Sequence, residues 1–296
     1  MDKLKAMRVF VRIVDTGSLT AAAAAGGQSP ASVVRTLAAL EQALGVRLLN
    51  RSTRRLALTD EGRDYLARCR HILAALDEAE AVLSAGQVQP AGSLGVTAPV
   101  TFGRRHVAPL LSEFLAGHDG LRGELVLLDR VVNLVEEGLD LAVRIGQLAD
   151  SSLVAVPLGH TRHVVCASPA LLARLGRPAR PEALEGCPGI WFGPQGGRWP
   201  FLADGEVLEI SLAPALVSNQ VDAVREACRQ GLGYARLYHY QVADDLAEGR
   251  LEVVLDACET SPVPVQLVYP HARLMSLRVR SFVQWVTPRL RQVLAA

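Results

Sequence analysis

Leu4, Met7, Phe10, Val11 and Val14 recur at spacings of three and four, which predicts a helix over about residues 2–15 with one apolar stripe. Gly17 ends it, and Ser18 offers an N-cap for a short helix over Leu19–Ala25. Gly26 and Gly27 break that helix. Ser29 restarts the chain as a cap, with Pro30 at the first helical position. This third helix runs to about Leu44, where Gly45 suits its end, and Val33, Leu37, Leu40 and Leu44 form its buried stripe. At about 100° per residue, Ala31, Ser32, Arg35, Ala38 and Gln42 face away from that stripe. Small groups plus one arginine can approach a DNA major groove without steric conflict. The layout of small-residue helix, tight turn and second helix is that of a helix-turn-helix.

Apolar Leu56 and Leu58 alternate, which predicts a short hairpin or wing over residues 47–58. Thr59 then caps a long helix, with Asp60 and Glu61 in its first turn. Along it, Tyr65, Cys69, Ile72, Leu76, Ala79 and Leu83 repeat at alternating spacings of four and three, the pattern of a coiled-coil seam. Such a stripe can also pack on its own domain. Pairing with a second copy is favoured because the small module ahead of it is already complete.

Residues 87–92 hold Gly and Pro and no charge, and read as a hinge. Beyond them, strand and helix patterns alternate. Strands are predicted at 94–98, 124–128, 139–145, 163–167, 233–237 and 264–269. Helices are predicted at 104–115, 131–137, 169–175, 221–230, 241–247 and 277–294. That rhythm predicts an α/β layout with a largely parallel sheet. Trp191, Phe192, Trp199 and Phe201 cluster among Gly and Pro, as core or a lid ahead of a cleft wall.

The net charge of +1 hides an asymmetry. Residues 1–58 carry +6 and the remainder −5, which suits a polyanionic partner for the first module. The composition, 50% hydrophobic, excludes a disordered chain. Five dispersed cysteines form no CxxC or Cys/His cluster, so reduced thiols are expected and no metal or other cofactor is implied. His160 and His163 have no third ligand group near them in sequence, and Arg104-Arg105-His106 reads as a solvated helix start. The charged start lacks a signal-peptide core, and the longest uncharged stretch of the first module is too rich in Gly and Ser to span a bilayer. A cytoplasmic protein with no membrane partner is the expectation.

The run from Phe10 to Gly62 resembles the N-terminal module of LysR-type transcriptional regulators. The residues that carry the likeness are Gly17-Ser18-Leu19-Thr20-Ala21-Ala22, Ser29-Pro30, Leu40-Glu41, Leu44-Gly45-Val46-Arg47-Leu48-Leu49, Arg51-Ser52-Thr53-Arg54-Arg55-Leu56 and Leu58-Thr59-Asp60-Glu61-Gly62. Val34 departs from the family, which usually has Ser there. The segments 136–146, Ala167-Ser168-Pro169 and Gly231-Leu232-Gly233-Tyr234 resemble the family's effector domain, similar in fold to periplasmic binding proteins. Arg236 stands where the family is usually apolar, and Tyr238 where it has Pro.

The resemblance implies an all-α winged helix-turn-helix over 1–59, a linker and dimerisation helix over 60–86, a hinge over 87–92 and an α/β two-subdomain effector domain over 93–296. One subdomain would be about 93–162 plus 267–296, the other about 163–266. In open α/β sheets ligands lie beyond strand C-terminal ends, at helix N-termini. The junctions at 97–103 and 218–220 fit that rule, and free N–H groups there suit an anionic or hydroxylated effector. Thr101, Phe102, Ser218 and Asn219 are the effector candidates, with Asp129, Ile145 and Arg236 beside them. Arg236 faces either the cleft or outward. Ser32 and Arg35 are expected at base edges, helped by Gln28, Ser29 and Thr36. Ser18, Thr20, Arg51, Arg54 and Arg55 complete the DNA face, the last three on flanking phosphates.

The expected partners are double-stranded DNA bearing an interrupted palindrome, a small-molecule effector, a second copy through the linker helix, a tetramer as in relatives, and RNA polymerase. A small-molecule carrier or an enzyme on the same fold is the rival. The carrier leaves the basic helix-turn-helix unexplained, and no nucleophile or acid/base constellation stands out for an enzyme.

Overall fold

The computed structural model of the chain describes residues 2–52, 55–83, 89–148, 153–193, 197–270 and 275–295. The first helix, α1 (Lys3–Thr16), starts at Asp2, whose carboxylate accepts from the Lys5 N–H, and stops at Gly17 in the left-handed region (φ 64°). Helix α2 (Leu19–Ala25) is capped by Ser18 and α3 (Pro30–Leu44) by Ser29, each hydroxyl accepting a backbone N–H of the first turn. Phe10, Ile13, Ala22, Val33, Leu37 and Leu40 share one buried cluster. This packing follows from the apolar stripes, which have no other way to leave water.

Strands β1 (Leu49–Ser52) and β2 (Arg55–Leu58) pair antiparallel as the expected wing, with Leu49 opposite Leu58. Helix α4 (Asp60–Leu83) follows, the Thr59 hydroxyl accepting from the Gly62 N–H at 2.9 Å. Its stripe behaves differently from a simple coiled-coil seam. Cys69 is buried in the module's own core with Leu66 and Leu73, and the Tyr65 ring lies 6.0 Å from that of Phe10. Arg70 further ties α4 to α1 through Asp15. The first two turns of the stripe therefore serve the domain itself. Ile72 is exposed, and the side chains of Ala79 and Leu83 lie outside the described residues.

After residues 89–91, β3 (Gly92–Ala98) leads into α5 (Val100–Phe102), a π-helical turn at Gly103–Val107, and α6 (Ala108–Ala116). Then come β4 (Leu121–Leu127), β5 (Leu141–Ile145), β6 (Leu153–Thr161) and β7 (His163–Ala167). Next are α7 (Pro169–Leu175), β8 (Pro188–Phe192), β9 (Arg198–Ala203), β10 (Glu206–Ser211) and β11 (Ala213–Ser218). The chain ends with α8 (Val221–Arg229), β12 (Tyr234–Tyr238), α9 (His239–Ala247), β13 (Glu252–Val254), β14 (Val263–Pro270) and α10 (Leu277–Ala295).

Two five-stranded sheets result, ordered β4-β3-β5-β14-β6 and β11-β8-β12-β7-β13, with β9–β10 as a separate hairpin. Each is mixed rather than largely parallel. In the first, β14 runs antiparallel to β5 and β6; in the second, β7 runs antiparallel to β12 and β13. These are the strands next to the two crossings between sheets, where the chain arrives in the opposite sense. Strand β14 begins at Val263, so the expected division at residue 267 cuts through a strand and moves back to the preceding crossover.

The helix expected at 131–137 is absent; residues 134–138 are turns. Val131 and Val135 are exposed, so their spacing reflects no buried face, and the Asn133 side chain accepts from the Val135 N–H at 3.1 Å, a local bond that competes with a helix. Strands β6, β8, β9 and β11 were not legible, since Pro interrupts their alternation; β13 has only three residues, and β10 was not read as a strand although neither Gly nor Pro interrupts it.

Gly62 shows why the run after the wing is closely specified. A Cβ there would lie 2.0 Å from the Leu48 carbonyl oxygen. Gly62→Ala is therefore expected to push α4 off the wing and destabilise the N-terminal module by roughly 1–3 kcal/mol, read as an earlier transition in thermal unfolding followed by far-UV circular dichroism.

Candidate nucleic-acid interface and effector cleft

The buried stripe of α3 leaves Ala31, Arg35, Ala38 and Gln42 exposed, as the helical periodicity predicts. Ser32 and Thr36 are half-buried on one flank, the Thr36 hydroxyl donating to the Ser32 carbonyl at 2.9 Å. Ser18 and Ser29 accept backbone N–H groups from Ala21 and Ser32, so each hydroxyl proton is left to donate outward. Thr20 is exposed. Gln28 is half-buried, and its Oε1 is enclosed without a hydrogen-bond partner, which turns that end away from any base edge.

Arg51 and Arg55 lie on the wing strands, Arg51 opposite Leu56 and Arg55 opposite Ser52. Their side chains, and all of Arg54, fall outside the described residues.

One positioning residue escaped sequence reasoning. The Glu41 carboxylate accepts from the N–H groups of Leu48 at 2.9 Å and Leu49 at 3.2 Å, fastening the start of the wing to α3. Charge-assisted bonds of this kind are about twice as strong as neutral ones. Arg47, exposed immediately before the wing, adds a cation to the same surface.

In the effector domain the parallel strands of the two sheets end at two edges. One carries Val100, Thr101 and Asp129, the other Phe192, Ser218 and Tyr238. Joints cross between them. Arg104 pairs with Asp222 at 2.9 Å, Arg105 with Asp244 at 2.7 Å, and the ring of Phe102 meets Tyr240 edge-on at 5.5 Å. Arg104 and Arg105 are thus not merely a solvated helix start. Their partners lie 118 and 139 residues away, beyond the reach of local pattern. The Arg105 hydrogen bond holds the Asp244 carboxyl below its ordinary range.

The expected effector residues divide. Thr101 is buried at the first sheet edge. Phe102 is fully buried in the first subdomain's core and packs against Tyr240 and His106, so it serves the joint rather than a ligand surface. Ile145 likewise packs against that core. Asp129 accepts the Val100 N–H at 3.0 Å, so the N–H expected to be free for an anion is already taken by the chain's own carboxylate. Burial raises the Asp129 pKa, the Val100 bond opposes this, and Asp222 adds repulsion. At the second edge the Ser218 hydroxyl accepts from the Gln220 N–H at 3.1 Å, and Asn219 is exposed.

Arg236 does not face the cleft. It lies under the β9–β10 hairpin, donates to Thr260 Oγ1 at 3.4 Å, and lines a cavity with room for about one water beside His163 and Phe201. Trp199 and Phe201, on β9 of that hairpin, are buried core with Trp191, while Phe192 is partly exposed. His163 stacks on Tyr238 at 4.3 Å, and its Nδ1 is buried without a partner. Burial, then the Arg236 charge, depress its pKa to about 4. Among the described residues no group of three His, Cys, Asp or Glu side chains could hold a metal, and no helix is long and apolar enough to cross a membrane.

Comparison with known proteins agrees with this geometry. Residues 4–63 match the profile of the bacterial regulatory helix-turn-helix protein, lysR family, and residues 87–291 that of the LysR substrate binding domain. An HTH-type transcriptional repressor of Pseudomonas aeruginosa (strain UCBPP-PA14) is 38% identical over 97% of this chain and 92% of its own length. The structure of CrgA, a LysR-type transcriptional regulator from Neisseria meningitidis, aligns with TM-score 0.62 and 32% identity over 97% of this chain and 98% of that one. The full-length structure of AphB, a virulence activator of Vibrio cholerae, aligns with TM-score 0.60 and 26% identity over 96% of this chain and 98% of that one. The chain belongs to the LysR family: it is a DNA-binding transcriptional regulator with an effector-binding domain, and not an enzyme.

A histidine held below its ordinary value of 6.5 takes up its proton more readily once the chain unfolds. Stability from His163 is therefore whole above about pH 6.5 and declines as the pH falls towards 4, by up to about 3 kcal/mol. Urea midpoints measured from pH 7 to 4 should fall less for His163→Phe, which keeps the stack on Tyr238, than for the unaltered chain.

Proposed function

We propose that two copies pair through α4, with Ile72 in the contact, and place their α3 helices in successive major grooves of an interrupted palindrome. The observation that supports this reading is the split of α3 into a buried stripe and an exposed face of Ala31, Arg35, Ala38 and Gln42, with the wing held beside it by Glu41. Arg35 and Ser32 read base edges. Thr36, Ser29, Ser18 and Thr20 assist, and Arg47, Arg51, Arg54 and Arg55 hold flanking phosphates. The functional units are residues 1–59 for DNA, 60–86 for pairing, a hinge at 87–92 and the effector domain beyond. A regulator of this kind works in the cytoplasm, where its operator lies. Pairs of dimers, and contact with RNA polymerase once DNA is bent, complete the scheme.

The effector binds between the two sheet edges and shifts the balance between two arrangements of the subunits, which requires different affinity for each. Thr101, Asp129, Ser218 and Asn219 face it. The chain's own carboxylates stand at both helix starts, Asp129 at Val100 and Asp222 in the first turn of α8. An anion placed there would be repelled. The ligand class that fits is a cationic or hydroxylated molecule that donates hydrogen bonds to Asp129.

Three outcomes test this scheme. Arg35→Ala should relax sequence choice at one or two base pairs by about 1–3 kcal/mol, whereas Arg54→Ala should weaken all DNA alike and lower the salt slope by about one. Both are read by competition binding against operator variants at several salt concentrations; retained operator preference in Arg35→Ala would remove that residue from the bases. Asp129→Asn should keep operator affinity and lose the response of a reporter gene to its inducing growth condition. An unchanged response would take Asp129 out of the effector contact.

A further inference from the structure

Val34 precedes Arg35 on α3 and is half-buried. It is not among the side chains of the module's core, nor among the half-buried ones packed on it, which are Val11, Val14, Leu19, Leu44, Leu56, Leu58 and Tyr65. At about 100° per residue it stands about a quarter turn from the buried stripe, on the flank nearer Glu41 and the wing. Its neighbours one helical turn away on that flank are Ala31 and Ala38, both exposed and both too short to screen it. Val34 is thus the one branched apolar side chain of α3 that is neither in that core nor packed on it, in a module of charge +6.

Water gives such a group nothing, and phosphate gives it nothing either. In a major groove one partner is apolar, the 5-methyl of thymine. We propose that Val34 packs against a thymine 5-methyl in each operator half-site, next to the base pair that Arg35 reads, and so makes the protein select thymine there. The branch at Cβ holds both methyls in few rotamers, so little side-chain entropy is lost on contact. This inference rests on α3 being the recognition helix, and it adds the base and the atom that one of its side chains recognises.

The test begins with an operator selected by the full-length protein from a randomised DNA pool. Each thymine is then replaced singly by deoxyuridine, which keeps every hydrogen-bonding group and removes the methyl. One position in each half-site should bind about fourfold more weakly. Val34→Ala should bind the unmodified operator more weakly by a similar factor and show no further loss with deoxyuridine at that position. Val34→Ala lies outside the buried core, and equal affinity for unrelated DNA at low salt confirms that the module is folded. If no thymine is sensitive, or if the sensitive one stays so in Val34→Ala, the contact does not exist. Failure to enrich any sequence, with general DNA binding intact, would instead overturn the recognition-helix reading itself.

Discussion

The DNA-facing surface of this protein depends on the burial of three side chains of α3, Val33, Leu37 and Leu40, against Phe10, Ile13 and Ala22. A helix of fifteen residues has one stripe to give up to a core. Giving up that stripe fixes the rotation of the helix, and the rotation decides that Arg35, Ala38 and Gln42 face outward. Each fully buried Leu is worth about 2 kcal/mol relative to exposure. Rotating the helix to present another face would forfeit several such terms at once. Glu41 extends the constraint to the wing. It accepts the N–H groups of Leu48 and Leu49 at the start of the wing, so α3 and the wing form one body.

The effector domain is built on a different balance. Its two sheets bury separate cores, and what crosses between them is polar or aromatic: Arg104 with Asp222, Arg105 with Asp244, Phe102 with Tyr240. Partly exposed ion pairs contribute about 0–1 kcal/mol each. Joints of this strength hold an arrangement without locking it, which is what a domain that answers to a ligand needs. At the two crossovers between the sheets Arg162 pairs with Glu259, beside the His163–Tyr238 stack.

Much of this was legible along the chain. The helices of the first module, their caps at Ser18, Ser29 and Thr59, and the wing followed from local spacing and turn chemistry. So did the outward set on α3, because one helix's burial pattern is written in its own residues. The linker helix was half legible: Tyr65 and Cys69 keep a heptad spacing, yet the structure spends them on the module's own core. Spacing reports that a stripe will be covered, not by what.

The sequence by itself therefore determined the helices and wing of the first module, the order of the domains and the face of α3 that stays free, since each depends on interactions within a few residues. Tertiary structure alone decided the rest. It directed Arg236 under the β9–β10 hairpin instead of into the cleft, and Phe102 into a core. It also filled the N–H at Val100 with Asp129 and set Arg104 opposite Asp222. Those outcomes join positions up to more than a hundred residues apart, and no local periodicity carries information about which sheet edge a side chain will meet.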